Sequence, residues 1–321
     1  MTKLLNKNFI KNGTGHGVDD KTGKYETISG QNGFNESKPR EISYKRFIRV
    51  FFSRGLVRVG AIVIFVLIVA AIFAPWIAPY DPYEMKMNDR FVKISVDHLL
   101  GTDYVGRDVL SRIIFGSRTS LIVGLGAVGI ASLIGMTLGL VAAFFGGLVY
   151  SIIMRAIDTL MSIPPMMMAL AIASLLGGGL KNVVIALAIS FIPPYARMMC
   201  GQALHIKEND YVSATRSMGA GNLRTMFLHV APNCFPPLIV MMTMMMGRAI
   251  LAEAGLSFLG IGIQPPGAAW GAMVNEGYQY LYAQPHLSFF PGIAIMLVVF
   301  SCNMVGDGLR DALDPRLRGT L

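Results

Sequence analysis

Arg248 and Glu253 stand inside an apolar run from Pro232 to Gly260, and they are the first side chains in this 321-residue sequence whose placement asks for a chemical reason. Ionisable groups at membrane depth are expensive and tend to mark pathways or buried contacts. Five residues apart, they do not share a helix face well enough to pair. Glu253 is therefore expected to bond across helices or to water, in a structural role beside a path rather than against a substrate. Arg197 follows Pro193 and Pro194 and is expected to snorkel toward headgroups, with Asp158 at the membrane surface. The sequence carries no HExxH and no GxSxG, so no hydrolase centre is readable. Gly13–Lys24 (GTGHGVDDKTGK) fails as a P-loop, because Val18 replaces the first required glycine and Tyr25 the magnesium-holding hydroxyl. Cys200, Cys234 and Cys302 have no CxxC spacing and read as small buried residues. Met166–Met168 and the group Met241, Met242 and Met244–Met246 lack Cys or His neighbours, so they read as flexible packing or an adaptable lining rather than a soft-metal site.

The elements that must hold these residues are helices in lipid. Hydrophobic residues make up 53% of the chain and charged residues 15%, against about 25% charged in soluble domains, and the mean hydropathy is +0.53. A helix needs roughly 20 apolar residues to cross the hydrocarbon layer. Six stretches qualify: Val59–Ile77, Thr119–Tyr150, Leu160–Leu180, Asn182–Leu204, Pro232–Gly260 and Leu287–Val305. The chain is thus expected to be an all-α membrane protein with six transmembrane helices. Pro193–Pro194 and Gly177–Gly179 are expected to break the backbone where protein or water covers it. Gly135 and Gly139 form a GxxxG that permits close helix contact.

Residues 1–44 are polar and are expected to be a disordered cytoplasmic tail without a cleavable signal peptide. Of the net charge of +9, two thirds lies in residues 1–55, which hold eleven Lys and Arg against five Asp and Glu. Beside an apolar helix this asymmetry fits the positive-inside rule better than nucleic-acid binding. Residues 45–118 would hold the first span and an external loop, 119–308 the core, and 309–321 a second cytoplasmic tail. The external loop fits that rule badly, because residues 79–118 hold six Lys and Arg beside six acids. Part of Asp108–Arg118 is expected to lie flat at the interface. The segment from Gln264 to His286, with Trp270, Tyr278, Tyr280 and Tyr282, reads as an external receiving surface or an aromatic belt.

Between the fourth and fifth spans, His205–Asn233 is polar enough to leave the membrane. Tyr211–Met218 is expected to form one short helix, Gly219–Gly221 a break, and Leu223–Val230 a second helix ended by Pro232. This segment resembles the EAA loop of ABC importer membrane subunits. On that pattern Ser213 stands at the glutamate position, Ala214 and Thr215 at the alanines, and Gly219 at the glycine, with Pro232 downstream. Ser213 supplies no acid for a charge pair. His98–Leu121, Ile250–Met273 and Gly306–Arg318 resemble signatures of the dipeptide, oligopeptide and nickel subfamily, closest to its "C" type of permease subunit.

The resemblance implies a type I ABC importer permease fold. It also implies that Tyr211, Ser213, Ala214, Thr215, Met218, Gly219 and Pro232 take part in docking to an ATPase. Glu253, Arg248, Pro193 and Pro194 remain pathway or structural candidates. The implied partners are a homologous second permease, two ATP-binding subunits, an extracytoplasmic binding protein and the lipid bilayer, with no nucleic acid. No cofactor is implied on this chain, since ATP and magnesium belong to the ATPase subunits. The implied location is the bacterial inner membrane with both termini cytoplasmic. A membrane enzyme and a secondary transporter are the competing classes; the latter usually carries intramembrane coupling acids and often an internal repeat, and no clear repeat is evident here.

Overall fold

The computed structural model describes residues 44–313, and the expectations for both tails lie largely outside that range. A short helix, α1 (Tyr44–Phe51), precedes α2 (Gly55–Ile77). The bundle then runs through α3 (Val109–Phe145), α4 (Gly147–Met161), α5 (Pro165–Leu176), α6 (Leu180–Lys207), α7 (Asp210–Ser217), α8 (Asn222–Arg224), α9 (Ala231–Phe258), α10 (Trp270–Tyr278) and α11 (His286–Leu313). Five helices are individually long and apolar enough to cross a membrane. A sixth crossing exists if α4 and α5, bent by 88°, are taken together. Ile62, Phe65 and Trp76 of α2 stand exposed, as lipid-facing side chains do.

The second span departs from its expected start. Asp108 caps α3, its Oδ2 accepting from both the amide (2.8 Å) and the hydroxyl (2.8 Å) of Ser111. The helix therefore includes Val109–Arg118, which does not lie flat. Its 37 residues extend about 55 Å and end at Gly146, whose φ of +65° suits glycine. The third span is not one helix from Leu160: Pro164 and Pro165 fall where α4 turns into α5, because proline disfavours helical backbone in the residue before it.

The expected break at Pro193–Pro194 is also absent, for α6 runs unbroken through both prolines. Protein covers the backbone there. A Cβ on Gly135 would stand 2.7 Å from the Ile192 carbonyl oxygen, and one on Gly139 would run into the Ala196 carbonyl oxygen. The GxxxG is the face on which α3 and α6 meet at backbone distance.

One end of the bundle gathers the start of α2, the end of α11 and the 205–232 segment. Arg54 pairs with Asp311 at 2.8 Å. Farther in, Gly306 faces Thr243 and Met244, and Gly247 faces Val299, so α9 and α11 run antiparallel. At the opposite end, Arg107 and Arg112 are almost fully buried. Asp103 Oδ2 accepts from Arg107 Nε (2.6 Å) and Arg112 Nη1 (2.7 Å), and Glu276 Oε2 accepts from Arg107 Nη2 (2.9 Å) and Arg112 Nη1 (2.7 Å). Two of the six cations in the 79–118 segment are thus paired inside the fold, which leaves Lys86, Arg90, Lys93 and Arg118 to count under the positive-inside rule. Trp270, expected on a receiving surface, is buried instead. Its indole N–H donates to the Ile113 carbonyl (2.9 Å) over Gly116, where any side chain would collide. Tyr278 and Tyr282 are exposed, while Tyr280 is half-buried with its ring against Phe91 and Tyr104.

Candidate coupling loop and intramembrane charges

The 205–232 segment is built as a knob rather than a slack connection. α6 ends at Lys207, a two-residue turn follows, and α7 occupies Asp210–Ser217. Its inner side is fixed by Val212, which is fully buried. Its outer side presents Tyr211, Ser213 and Ala214, with Thr215 half-buried and donating back to the Tyr211 carbonyl (2.7 Å). α7 ends in a left-handed residue, Gly219 (φ +85°), while Ala220 N–H reaches the Thr215 carbonyl (3.2 Å). That pairing is the glycine-terminated helix end expected from the sequence.

The second arm differs. After three α-helical residues, Thr225–Val230 widens to a π-helix in which Ala231 N–H bonds the Met226 carbonyl five residues back. Pro232 follows in the first turn of α9 and ends nothing. Its missing N–H falls where the helical ladder is already out of register, so the arm continues directly into the membrane span. Asn233 Nδ2 donates to the His229 carbonyl (2.7 Å) and to the Tyr211 hydroxyl (3.1 Å), which closes the arms on each other. The knob's exposed surface includes Tyr211, Met218, Leu223, Phe227 and Leu228. These are large apolar side chains exposed on an otherwise polar segment.

The charges within the spans separate. Glu253 is fully buried; its Oε1 accepts from Ser257 Oγ (2.7 Å), whose oxygen accepts the Ile263 N–H (3.0 Å). The next residue back, Gly262, accepts from Gly179 N–H (3.0 Å), which joins the α5–α6 turn to the end of α9. Glu253 Oε2 has no hydrogen-bond partner among the described residues. Arg248 is exposed on another side of α9, on a stripe with Met244 and Leu251. Pro193 is buried and Pro194 half-buried within α6. All three cysteines are free and buried.

Several contacts were not readable from local pattern. Lys207 Nζ donates to the carbonyls of Ala143 (3.2 Å) and Phe144 (3.0 Å) in the last turn of α3, and the Arg216 guanidinium lies 5.1 Å from the Phe144 ring centre. Arg197 pairs with Asp158 rather than standing free. Glu276, the second acid of the buried network, lies far along the chain from the motif it completes. The position of Lys207 in the last turn of α6 signals a helix-end cation, but not that the carbonyls it meets are those of α3. No signal existed for Glu276.

The family model for binding-protein-dependent transport system inner membrane components matches residues 135–319. A model for the N-terminal transmembrane domain of oligopeptide transport permease C matches residues 44–94. Among curated relatives, a putative peptide transport system permease protein of Brucella suis is 40% identical over 280 residues, covering 87% of this chain and 93% of that protein. A di/tripeptide transport system permease protein of Pseudomonas aeruginosa is 43% identical over 265 residues, covering 81% and 88%. A glutathione transport system permease protein of Pectobacterium atrosepticum is 40% identical over 276 residues, covering 86% and 92%.

Proposed function

This chain belongs to the family of binding-protein-dependent transport system inner membrane components, and from that premise we propose that it forms half of a membrane path for dipeptides or oligopeptides. It is a permease subunit and a multi-pass membrane protein. In this reading a second, homologous permease completes the path. A binding protein delivers substrate from outside, and two ATPase subunits that hold ATP and magnesium drive the cycle. The names of relatives that carry peptides, di- and tripeptides or glutathione support the substrate class.

The observation that carries the coupling role is the internally hydrogen-bonded knob of residues 205–232 with its exposed apolar side chains. Tyr211, Ser213, Ala214 and Met218 would meet the ATPase, Thr215 and Gly219 would shape the helix that presents them, and Pro232 would begin the span that carries the motion inward. ATP-driven closure of the ATPases would then shift the permease pair between outward- and inward-open populations. The knob end would be cytoplasmic, and with it both chain termini, in keeping with the basic residues 1–55 and the loop's Lys207, Arg216 and Arg224. Arg248, an exposed cation at membrane depth, would face the second permease or the water of the path rather than lipid. Glu253 would brace the outer end of α9.

The test is uptake of a labelled dipeptide by cells lacking this chain, with and without its restoration. Restored uptake that vanishes on ATP depletion but survives collapse of the proton gradient is expected. Uptake driven by the gradient alone would instead fit a secondary transporter.

A further inference from the structure

A cavity of about 460 Å³ opens where α4 lies along the knob-side half of α6. Tyr150, Arg155 and Asp158 line it from α4, and Arg197 and Gly201 from α6. Arg197 Nη2 donates to Asp158 Oδ1, yet both side chains remain about half exposed, at 52% and 54%. Arg155 is exposed and makes no ion pair among the described residues. Two cations against one acid leave the cavity with a net positive charge. Gly201 keeps its floor open, since nothing stands within 4 Å of where a Cβ would be. Arg197 precedes Lys207, the last residue of α6, by ten residues, about 15 Å along the helix, on a helix long and apolar enough to cross a membrane. Exposed charged groups on a membrane-crossing helix belong against water, protein or headgroups, not lipid tails.

We propose that this cavity is a subsite for the terminal carboxylate of the peptide in transit, received by Arg155 and Arg197, with Asp158 holding Arg197 in place. The proposal rests on the peptide-importer reading above. Peptides of varied sequence share only their terminal ammonium and terminal carboxylate, so a path that accepts many of them has two constant handles. A net-positive cavity selects the carboxylate, and guanidinium groups match its two oxygens in a planar fork. The Tyr150 hydroxyl adds a neutral donor. A lipid phosphate offers the same oxyanion chemistry, and the lipid composition of the vesicles separates the two sources below.

The experiment uses the complete importer, reconstituted with its second permease, ATPases and binding protein. It compares uptake of a labelled tripeptide with uptake of the same tripeptide as its C-terminal amide. The binding protein's own preference is common to all variants and cancels in the comparison. Arg155→Gln is expected to lower the acid-to-amide uptake ratio about five-fold, the scale of one partly exposed charged hydrogen bond. Arg155→Lys should restore most of the ratio, and Gly201→Phe should slow both peptides by filling the floor. Copurification of the second permease and both ATPases with the variant chain shows that each variant assembles. An unchanged ratio in an assembled Arg155→Gln importer overturns the subsite. A loss that strikes acid and amide equally, and only in vesicles containing phosphatidylglycerol, assigns the cavity to lipid phosphate and also overturns it. A wild-type importer that takes up neither peptide overturns the peptide reading itself, and the subsite falls with it.

Discussion

Lys207 closes the end of α3 by donating to the carbonyl of Phe144 at 3.0 Å, with its ammonium 5.6 Å from the same residue's ring centre. The last residue of α6 before the knob is thereby fastened to the last turn of the longest helix, where unpaired carbonyls and the helix dipole favour a cation. Any displacement of the knob must pull on α3 as well as on α6. Replacing Lys207 by Met keeps the aliphatic stem and removes the charged donor, a loss of about 1.5–3 kcal/mol for hydrogen bonds to a charged group. We expect Lys207→Met to keep ATP hydrolysis while transport per ATP falls, measured as uptake against phosphate release in proteoliposomes.

Gly139 predicts a steric outcome. A methyl group there meets the Ala196 carbonyl, and overpacking of this kind costs about 1–3 kcal/mol. Gly139→Ala should lower the thermal midpoint of the detergent-purified chain. Gly129→Ala on the same helix, where nothing stands within 4 Å, should leave it unchanged or raise it slightly.

The buried network of Asp103, Arg107, Arg112 and Glu276 predicts non-additivity. Arg112→Met leaves two buried acids facing one cation, a loss of about 3–5 kcal/mol for breaking a buried pair. The double variant Arg112→Met/Glu276→Gln restores the charge balance and should melt above the single variant. Equal melting of the two would show that packing rather than charge governs this site.

Glu253 should distinguish acceptor from charge. Glu253→Gln retains an oxygen for the Ser257 hydroxyl and should transport nearly as the wild type does. Glu253→Ala strands that hydroxyl in a buried setting, a penalty of about 1–3 kcal/mol, and should weaken both stability and uptake. Intact uptake in Glu253→Ala would remove this residue from the mechanism.

How much was legible follows from where each contact lies along the chain. α2 and α11 follow from unbroken apolar runs, α9 from a run interrupted by Arg248 and Glu253, and α7 with its Gly219 terminus from local helix-end chemistry. The first ten residues of α3 look like loop because they carry Arg112 and Arg118; Arg112 is absorbed by Glu276, a pairing no local pattern contains. The α4–α5 bend lies inside an apolar stretch, and hydropathy is blind to direction. Conversely, Pro193–Pro194 carries a strong breaking signal that the close approach of α3 through Gly135 and Gly139 covers. Pro232 carries the same signal and is accommodated by the π-helical turn before it. Trp270 joined an aromatic-rich segment in the sequence, yet the space above Gly116 draws it inside.

The central claim is that the 205–232 knob docks an ATPase. Its most direct test is isolation of the tagged chain from mild detergent, as wild type and as Gly219→Pro, which the left-handed backbone at φ +85° cannot accommodate. The account predicts that ATPase subunits and ATPase activity accompany the wild type and are lost or uncoupled in the variant, while the second permease stays bound to both. A chain that emerges without ATPases in either form, or a variant that retains them with full coupled transport, would contradict it.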